Sequence, residues 1–362
     1  APAQMLQVLA QIAGDLATRA GKSLPDAVKN IAQGQGGAAA QAIAAQLAAE
    51  GNKTVLLGEF AMTAPDSAPL RAVAELIAEL SGAKLGYLPR ANSVGAWLAG
   101  CVPHRGANNG PVNTGGMNAQ AMIAAPRKAY LLLNVEPELD CADGRAARSA
   151  MEQTEFVVAL SPFKDAGEYA HVMLPIAPFT ETSGTFVNCE GVWQSFEGAV
   201  LPLKQTRPAW KVLRVLANLL SLPGFDYTDS REVLAQVKSD ALAPPRARHW
   251  QFNATSKDSA ATASQLTRIG EVPIYAGDNL VRRAPPLQAT PDSAKPAARM
   301  NAAQARKLGL DTAPSVRVAG AGEVVLDMAI DARVPDGCVL IAAGYRETAM
   351  LGGDGPVRVV KA

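Results

Sequence analysis

The chain has 362 residues, 48% of them hydrophobic, with 34 basic against 33 acidic side chains and a formal net charge of +1. That length allows two domains and a large core, and that balance offers no basic face for nucleic acid or an anionic membrane. No apolar run approaches the ~20 residues of a membrane span, so no direct membrane insertion is expected.

The first fifty residues read as helices. Leu6, Leu9, Ile12, Ala13 and Leu16 recur at helical spacing, and Gly21 follows the end. Residues 22–32 carry Pro25 in the first turn of a second helix, and the Ala-rich run 38–49 makes a third. No basic region precedes an apolar core, so no signal peptide is read. A chain that opens on Ala1 is expected to be processed or cut from something longer.

Strands and helices then alternate. Residues 54–58 form an apolar strand of the kind covered on both faces. Asp66 and Ser67 can cap a helix with Pro69 in its first turn and the stripe Leu70, Val73, Ile77 and Leu80, ended by Gly82. Residues 85–88, 130–135, 156–160 and 172–174 read as further strands, with a helix over 144–153. The alternation predicts an α/β fold built on a doubly wound, mostly parallel sheet. Residues 92–116 interrupt it as a glycine-rich loop with neither G-x-G-x-x-G nor G-x-x-x-x-G-K-[ST], and read as a structural crossover.

Cys101, Cys141, Cys189 and Cys338 are scattered, with no C-x-x-C pair. That pattern argues against a zinc site or an iron–sulfur cluster built within this chain and predicts free thiols. Cys101 and His104 flank Pro103 in a loop, a poor start for a metal site.

The richest stretch is His171 to Gln194. Val172, Met173 and Leu174 make a short strand that Pro175 stops, and Pro178 keeps the next residues out of helix. Glu181, Thr182, Ser183, Gly184, Thr185, Asn188, Glu190 and Gly191 follow. A strand emptying into such a loop can present amides and hydroxyls to a ligand at the carboxyl end of a sheet. It can equally be a surface loop closed by two glycines, its side chains satisfying backbone groups. His171 opens a strand and reads as a core or strand-edge histidine, not a base.

Residues 208–221 form a helix with Trp210, Leu213, Leu216 and Leu220 on one face, ended by Pro223-Gly224. Asp229 and Glu232 have capping-box spacing before Val233 and Leu234. From 241 to 298, Pro, Ala, Ser and Thr dominate without periodicity, which predicts a linker or an arm wrapped over a surface. Within it, Arg282 and Arg283 can be solvated charges or, beside apolar anchors, a protein-docking pair. The end is a different module. Asn301 and Gln304 start a short helix that Gly309 ends, Pro335-Asp336-Gly337 is a turn, and alternating valines predict a small closed barrel. The expected domains are 1–240, α/β; 241–298, arm; and 299–362, β-barrel.

His171, Val172, Leu174, Pro175, Glu181, Gly184, Thr185, Phe186, Asn188, Glu190, Gly191 and Gln194 together resemble a run found in the molybdopterin oxidoreductase superfamily. Two further stretches resemble its complex I branch, the large iron–sulfur subunit (the 75 kDa or G subunit) of bacterial NADH:quinone oxidoreductase. These are residues 128–140, KAYLLLNVEPELD, and Pro273-Ile274-Tyr275 followed by Leu280-Val281-Arg282-Arg283-Ala284 and Leu287-Gln288.

The resemblance implies a molybdopterin-oxidoreductase-like α/β part with a double-psi barrel at the C-terminal end. It implies a scaffold within an electron-transfer subunit, on the cytoplasmic side of the bacterial inner membrane, packed against other peripheral-arm subunits. No cofactor is expected in this part, because iron–sulfur clusters belong to N-terminal modules whose clustered cysteines this chain does not carry. Glu181 to Thr185, Asn188, Glu190 and Gly191 are then candidates for a vestigial groove, and no residue is expected to be catalytic or to bind metal. The competing implication is a molybdopterin-guanine-dinucleotide enzyme of the formate dehydrogenase type, for which the same loop would be a cofactor contact.

Overall fold

In the computed structural model, which describes residues 1–33, 36–64, 66–105, 115–241, 265–293 and 295–362, the opening helices form as their stripes predict. Helices α1 (Met5–Arg19), α2 (Asp26–Ala32) and α3 (Ala38–Ala48) pack together. Strand β1 (Thr54–Leu57), α4 (Glu59–Thr63), α5 (Ser67–Ser81) and β2 (Lys84–Tyr87) follow, then α6 (Ser93–Leu98). Leu6, Ala10, Ile12, Ala13 and Leu16 of α1 meet Leu70, Val73 and Ile77 of α5 in one buried cluster. Asp66 stands at the N-cap of α5 without the expected side-chain cap bond, whereas Gly82 ends the helix at φ +69, a left-handed position that a Cβ would strain. β1 and β2 pair in parallel, from Thr54↔Lys84 to Leu57↔Tyr87. Only Leu57 of β1 is buried, and Leu56 is 55% exposed. The apolar run of β1 predicts cover on both faces; in a two-stranded sheet with α5 packed on it, one face stays open.

Next come α7 (Ala119–Ala124), β3 (Ala129–Leu133), α8 (Pro137–Asp140), α9 (Gly144–Glu152), β4 (Phe156–Ser161) and β5 (Val172–Pro175). β3, β4 and β5 form a second parallel sheet, with Leu131↔Val158 and Val158↔Val172 in register. The strands expected in one sheet therefore divide into two parallel sheets. Consecutive parallel strands with crossovers of one hand place their connections on one face. Leu132, Val157, Ala159 and Met173 accordingly pack against Ala150 and Met151 of α9 and against Ala166 and Tyr169. On the opposite face Leu131, Leu133, Phe156 and Val172 are exposed.

Strands β6 (Gly184–Val187) and β7 (Trp193–Phe196) make a two-stranded ribbon, followed by α10 (Ala209–Leu219) and α11 (Ser230–Asp240). The capping residues of α11 act one position away from expectation: Glu232 accepts from the Thr228 amide at 2.8 Å, and Asp229 accepts from the Arg231 amide at 2.9 Å. In α10 only Ala217 is buried, so the expected apolar face is not sunk in a core.

The expected arm is partly structured. Residues 242–264 lie outside the described residues, as do 106–114 of the glycine-rich crossover. The remainder holds β8 (Leu266–Ile269), α12 (Asn279–Arg282), α13 (Pro285–Gln288) and β9 (Ala297–Met300). After α14 (Ala302–Lys307) come β10 (Ser315–Ala319), β11 (Glu323–Ile330), β12 (Cys338–Leu340), α15 (Arg346–Ala349) and β13 (Pro356–Lys361). β8 and β9 join them in a closed six-stranded barrel, ordered β10-β11-β9-β12-β8-β13. β9 with β11 and β8 with β12 are parallel pairs; the other pairs are antiparallel. Met300, Val316, Val318, Val339 and Ile341 are fully buried inside it, each such side chain stabilising the barrel by about 1.5–3 kcal/mol.

By contacts the described residues form two compact units, Ala1–Leu98 with Phe186–Gln194, and Ala99–Thr185 with Ser195–Asp240 and the described part of 259–362. Among the described residues no helix is long and apolar enough to cross a membrane.

Candidate functional site

Side-chain oxygens of Glu181, Thr182, Ser183, Thr185 and Asn188 are committed to the chain itself. Glu181 Oε2 accepts from the Leu203 amide at 2.9 Å, and the Thr182 hydroxyl donates to the Ser183 carbonyl at 3.2 Å. Ser183 Oγ pairs with Ser230 Oγ at 2.7 Å, and Thr185 Oγ1 with Ser195 Oγ at 3.0 Å. Gly184 is a glycine for close approach, since a Cβ there would lie 2.5 Å from the Phe196 ring. Gly198 presses in the same way on the Glu181–Thr182 backbone.

The tip of the ribbon closes on itself. Asn188 Oδ1 accepts from the Glu190 amide at 3.0 Å and the Val192 amide at 2.9 Å, an Asx-type turn. Gly191 completes it at φ +83, and Glu190 is exposed. Glu181 to Thr185 fall in the larger unit and Asn188, Glu190 and Gly191 in the smaller. His171 sits at the sheet edge, where its Nδ1 accepts from the Val157 amide at 3.1 Å. Cys101, Cys141, Cys189 and Cys338 are free thiols. Among the described residues no three His, Cys, Asp or Glu side chains gather as metal ligands.

The densest polar cluster lies elsewhere, just past the carboxyl ends of β3 and β4. Glu136 and Arg282 are nearly sealed, with side chains 8% and 10% exposed. Arg282 Nη1 donates to Glu136 Oε2 at 2.7 Å and Arg283 Nη1 to the same oxygen at 3.2 Å, while Arg283 Nη2 pairs with Glu136 Oε1. Arg282 Nη2 pairs with Asp140, whose other oxygen accepts from the Glu136 amide at 2.7 Å. Further bonds tie the pair to the backbone: Arg282 Nε bonds the Ala276 carbonyl at 2.8 Å and Arg283 Nη1 the Asn279 carbonyl at 2.7 Å. The Arg283 guanidinium lies 4.3 Å from the centre of the Phe163 ring, a cation–π contact. Asn279 Nδ2 donates to Asn134 Oδ1 at 2.7 Å, with Asn134 at φ +51.

Burial pushes the Glu136 carboxyl up, but hydrogen bonds from Arg283 and Arg282, and their charges, outweigh it and hold it below the usual carboxylate range. Burial works against the Arg282 charge as well, and Asp140 and Glu136 more than offset it, so its pKa rises. A buried charge cluster is tolerated when every partner is present. Arg282 and Arg283, which read in sequence as solvated or as a docking pair, are instead paired within the chain. The available signal was charge complementarity between the Glu136–Asp140 stretch and the arginine pair; neither stretch names its partner.

Similarity to known proteins agrees with this architecture. NADPH-Fe(3+) oxidoreductase subunit alpha of Geobacter sulfurreducens is 28% identical over 255 residues, 65% of this chain and 30% of that protein. The G subunit of NADH-quinone oxidoreductase from Streptomyces coelicolor is 31% identical over 277 residues, 71% of this chain and 30% of that protein. The chain thus spans about a third of the length of these relatives. Acetylene hydratase from Pelobacter acetylenicus has a similar fold, with a TM-score of 0.51 at 17% identity over 70% of this chain and 47% of that one. The family pattern described as molybdopterin oxidoreductase matches residues 6–219, more than half of the sequence, and the chain belongs to that family.

Proposed function

We propose that this chain is the molybdopterin-oxidoreductase-like part of a protein similar to the G subunit of NADH-quinone oxidoreductase, acting as a scaffold without a redox centre of its own. In such an assembly electrons pass from NADH to quinone, coupled to proton translocation. Iron–sulfur clusters sit in N-terminal modules, and this part covers them and packs against other peripheral-arm subunits on the cytoplasmic side of the bacterial inner membrane. Covering a cluster in protein sets its potential and excludes solvent. Family membership alone does not carry an activity.

The observation that carries this reading is the state of the candidate groove. Phe196 and Gly198 are packed onto Gly184 and the Glu181–Thr182 backbone, and the oxygens of Glu181, Thr182, Ser183, Thr185 and Asn188 already serve the chain. A pterin dinucleotide needs open amides, hydroxyls or cations for its phosphates. We read the side chains of this loop, already engaged within the chain, as offering such a group few of these contacts. The second reading, a formate dehydrogenase-like enzyme using molybdopterin guanine dinucleotide, draws its support from the family itself.

Iron, molybdenum and pterin measured together in the native protein that contains this chain separate the two. Iron without molybdenum or pterin is expected. Stoichiometric molybdenum with pterin would overturn the scaffold in favour of the enzyme.

A further inference from the structure

Open α/β sheets take their ligands at the carboxyl ends of their strands, because the loops there frame a crevice. In the β3–β4–β5 sheet that edge carries Asn134, Glu136 and Asp140 after β3 and Phe163 after β4. Each of them is already engaged by residues 279–283: Asn134 by Asn279, Glu136 by both arginines, Asp140 by Arg282, and Phe163 by Arg283. We propose that the 273–288 segment is a built-in occupant of this crevice, a plug whose two guanidinium groups stand where a ligand would bind, so that the Glu136–Asp140 elbow is a guanidinium receptor and not an anion site.

The chemistry of the elbow favours a cation. Glu136, Glu138, Asp140 and Asp143 follow one another within eight residues, and a pyrophosphate there would face carboxylates. Asp143 caps α9, its Oδ1 accepting from the Ala146 amide at 2.9 Å, so the helix end beside the elbow is spent as well. The plug is braced from within. Asp278 Oδ1 accepts from the Leu280 amide at 2.8 Å, and Gln288 Nε2 bonds the Tyr275 and Val281 carbonyls at 3.0 and 2.8 Å. A planar guanidinium matches a carboxylate with two parallel donors, and Arg283 meets both Glu136 oxygens. The inference rests on the scaffold reading and deepens it, because it says what fills the edge that a cofactor would otherwise claim.

Hydrogen exchange followed by mass spectrometry on the full chain tests the plug. Amides of 134–141 and 276–288 are expected to exchange slowly in the wild type. Glu136→Gln should speed both at least tenfold and leave β10 and β11 unchanged. In Arg283→Ala, methylguanidinium should restore slow exchange at 134–141, and methylammonium should not. If Glu136→Gln also opens the barrel strands, Asp140→Asn decides in its place. Exchange at 276–288 that is indifferent to these carboxylates overturns the plug, as does protection of wild-type 134–141 by guanosine diphosphate. The two readings fail separately: molybdenum with pterin in the native protein removes the scaffold, whereas exchange rates blind to Glu136 remove the plug.

Discussion

Glu136 shows how one buried side chain sets both a stability and its pH dependence. Its carboxylate holds two arginines out of water, so Glu136→Gln leaves their charges short of a partner and should cost roughly 3–5 kcal/mol in urea unfolding at pH 7. Because its folded pKa lies below the ordinary 4.5, its stabilisation is present above that value and is lost as pH falls through the folded one. The gap between wild type and variant should therefore narrow below pH 4.5; a gap that widens in acid would contradict the assignment. Its neighbour Cys141 makes the opposite case. Burial, with the charges of Asp140 and Glu138, pushes that thiol up to about 11, so little thiolate exists at pH 8. Iodoacetamide at that pH should label the exposed Cys101 and Cys189 well before Cys141, as read by mass spectrometry on tryptic peptides.

Among the elements, α14 illustrates what a local signal can and cannot say. Asn301 was legible as its cap, and its Oδ1 accepts from the Gln304 amide at 2.8 Å. Its amide also donates to the Val334 carbonyl at 3.0 Å and to Asp336 at 2.7 Å, tying the helix to the turn before β12. Asn301→Ala should cost about 1–2 kcal/mol in thermal or urea unfolding, and Asn301→Asp, which keeps the cap and loses the donor, should fall between. Such caps, the left-handed Gly82 and Gly309, and the valine alternation of β10 could be read because each depends on neighbours a few residues away. Strand β8 could not. Its inward positions are Leu266 and Arg268, and Arg268, 3% exposed with Nη1 on the Gly352 carbonyl at 2.7 Å, breaks the apolar alternation that would mark a strand. Its partners β12 and β13 lie some seventy or more residues on, beyond any periodicity.

For the whole molecule, the balance between covered and open apolar surface matters most. Leu131 at 50% exposure and Leu133, Phe156 and Val172 beside it form one open sheet face, and Leu201, Leu219 and Leu220 are exposed elsewhere. Contiguous patches of this kind bind apolar dyes and promote association. The isolated chain should bind such a dye, and the double change Leu131→Lys, Leu133→Lys should lower both dye binding and self-association while shifting stability by only about 0.5 kcal/mol. The alternation of strands and helices foretold the α/β class, and the alternating valines of the last module the barrel, but neither foretold that the strands divide between two sheets, because pairing partners are chosen in three dimensions. The candidate loop was located but its polar atoms could not be assigned, since Ser183 bonds Ser230 and Glu181 bonds Leu203 across stretches with no shared pattern. The order of strands around the barrel also has a temporal meaning. Among the described residues β8 pairs with β12 and β13 alone, strands that leave the ribosome after it. At ~5–20 residues per second it waits on the order of ten seconds for β13 to be made. During that interval the nascent chain carries an open strand edge, and a holding chaperone would have its longest opportunity there.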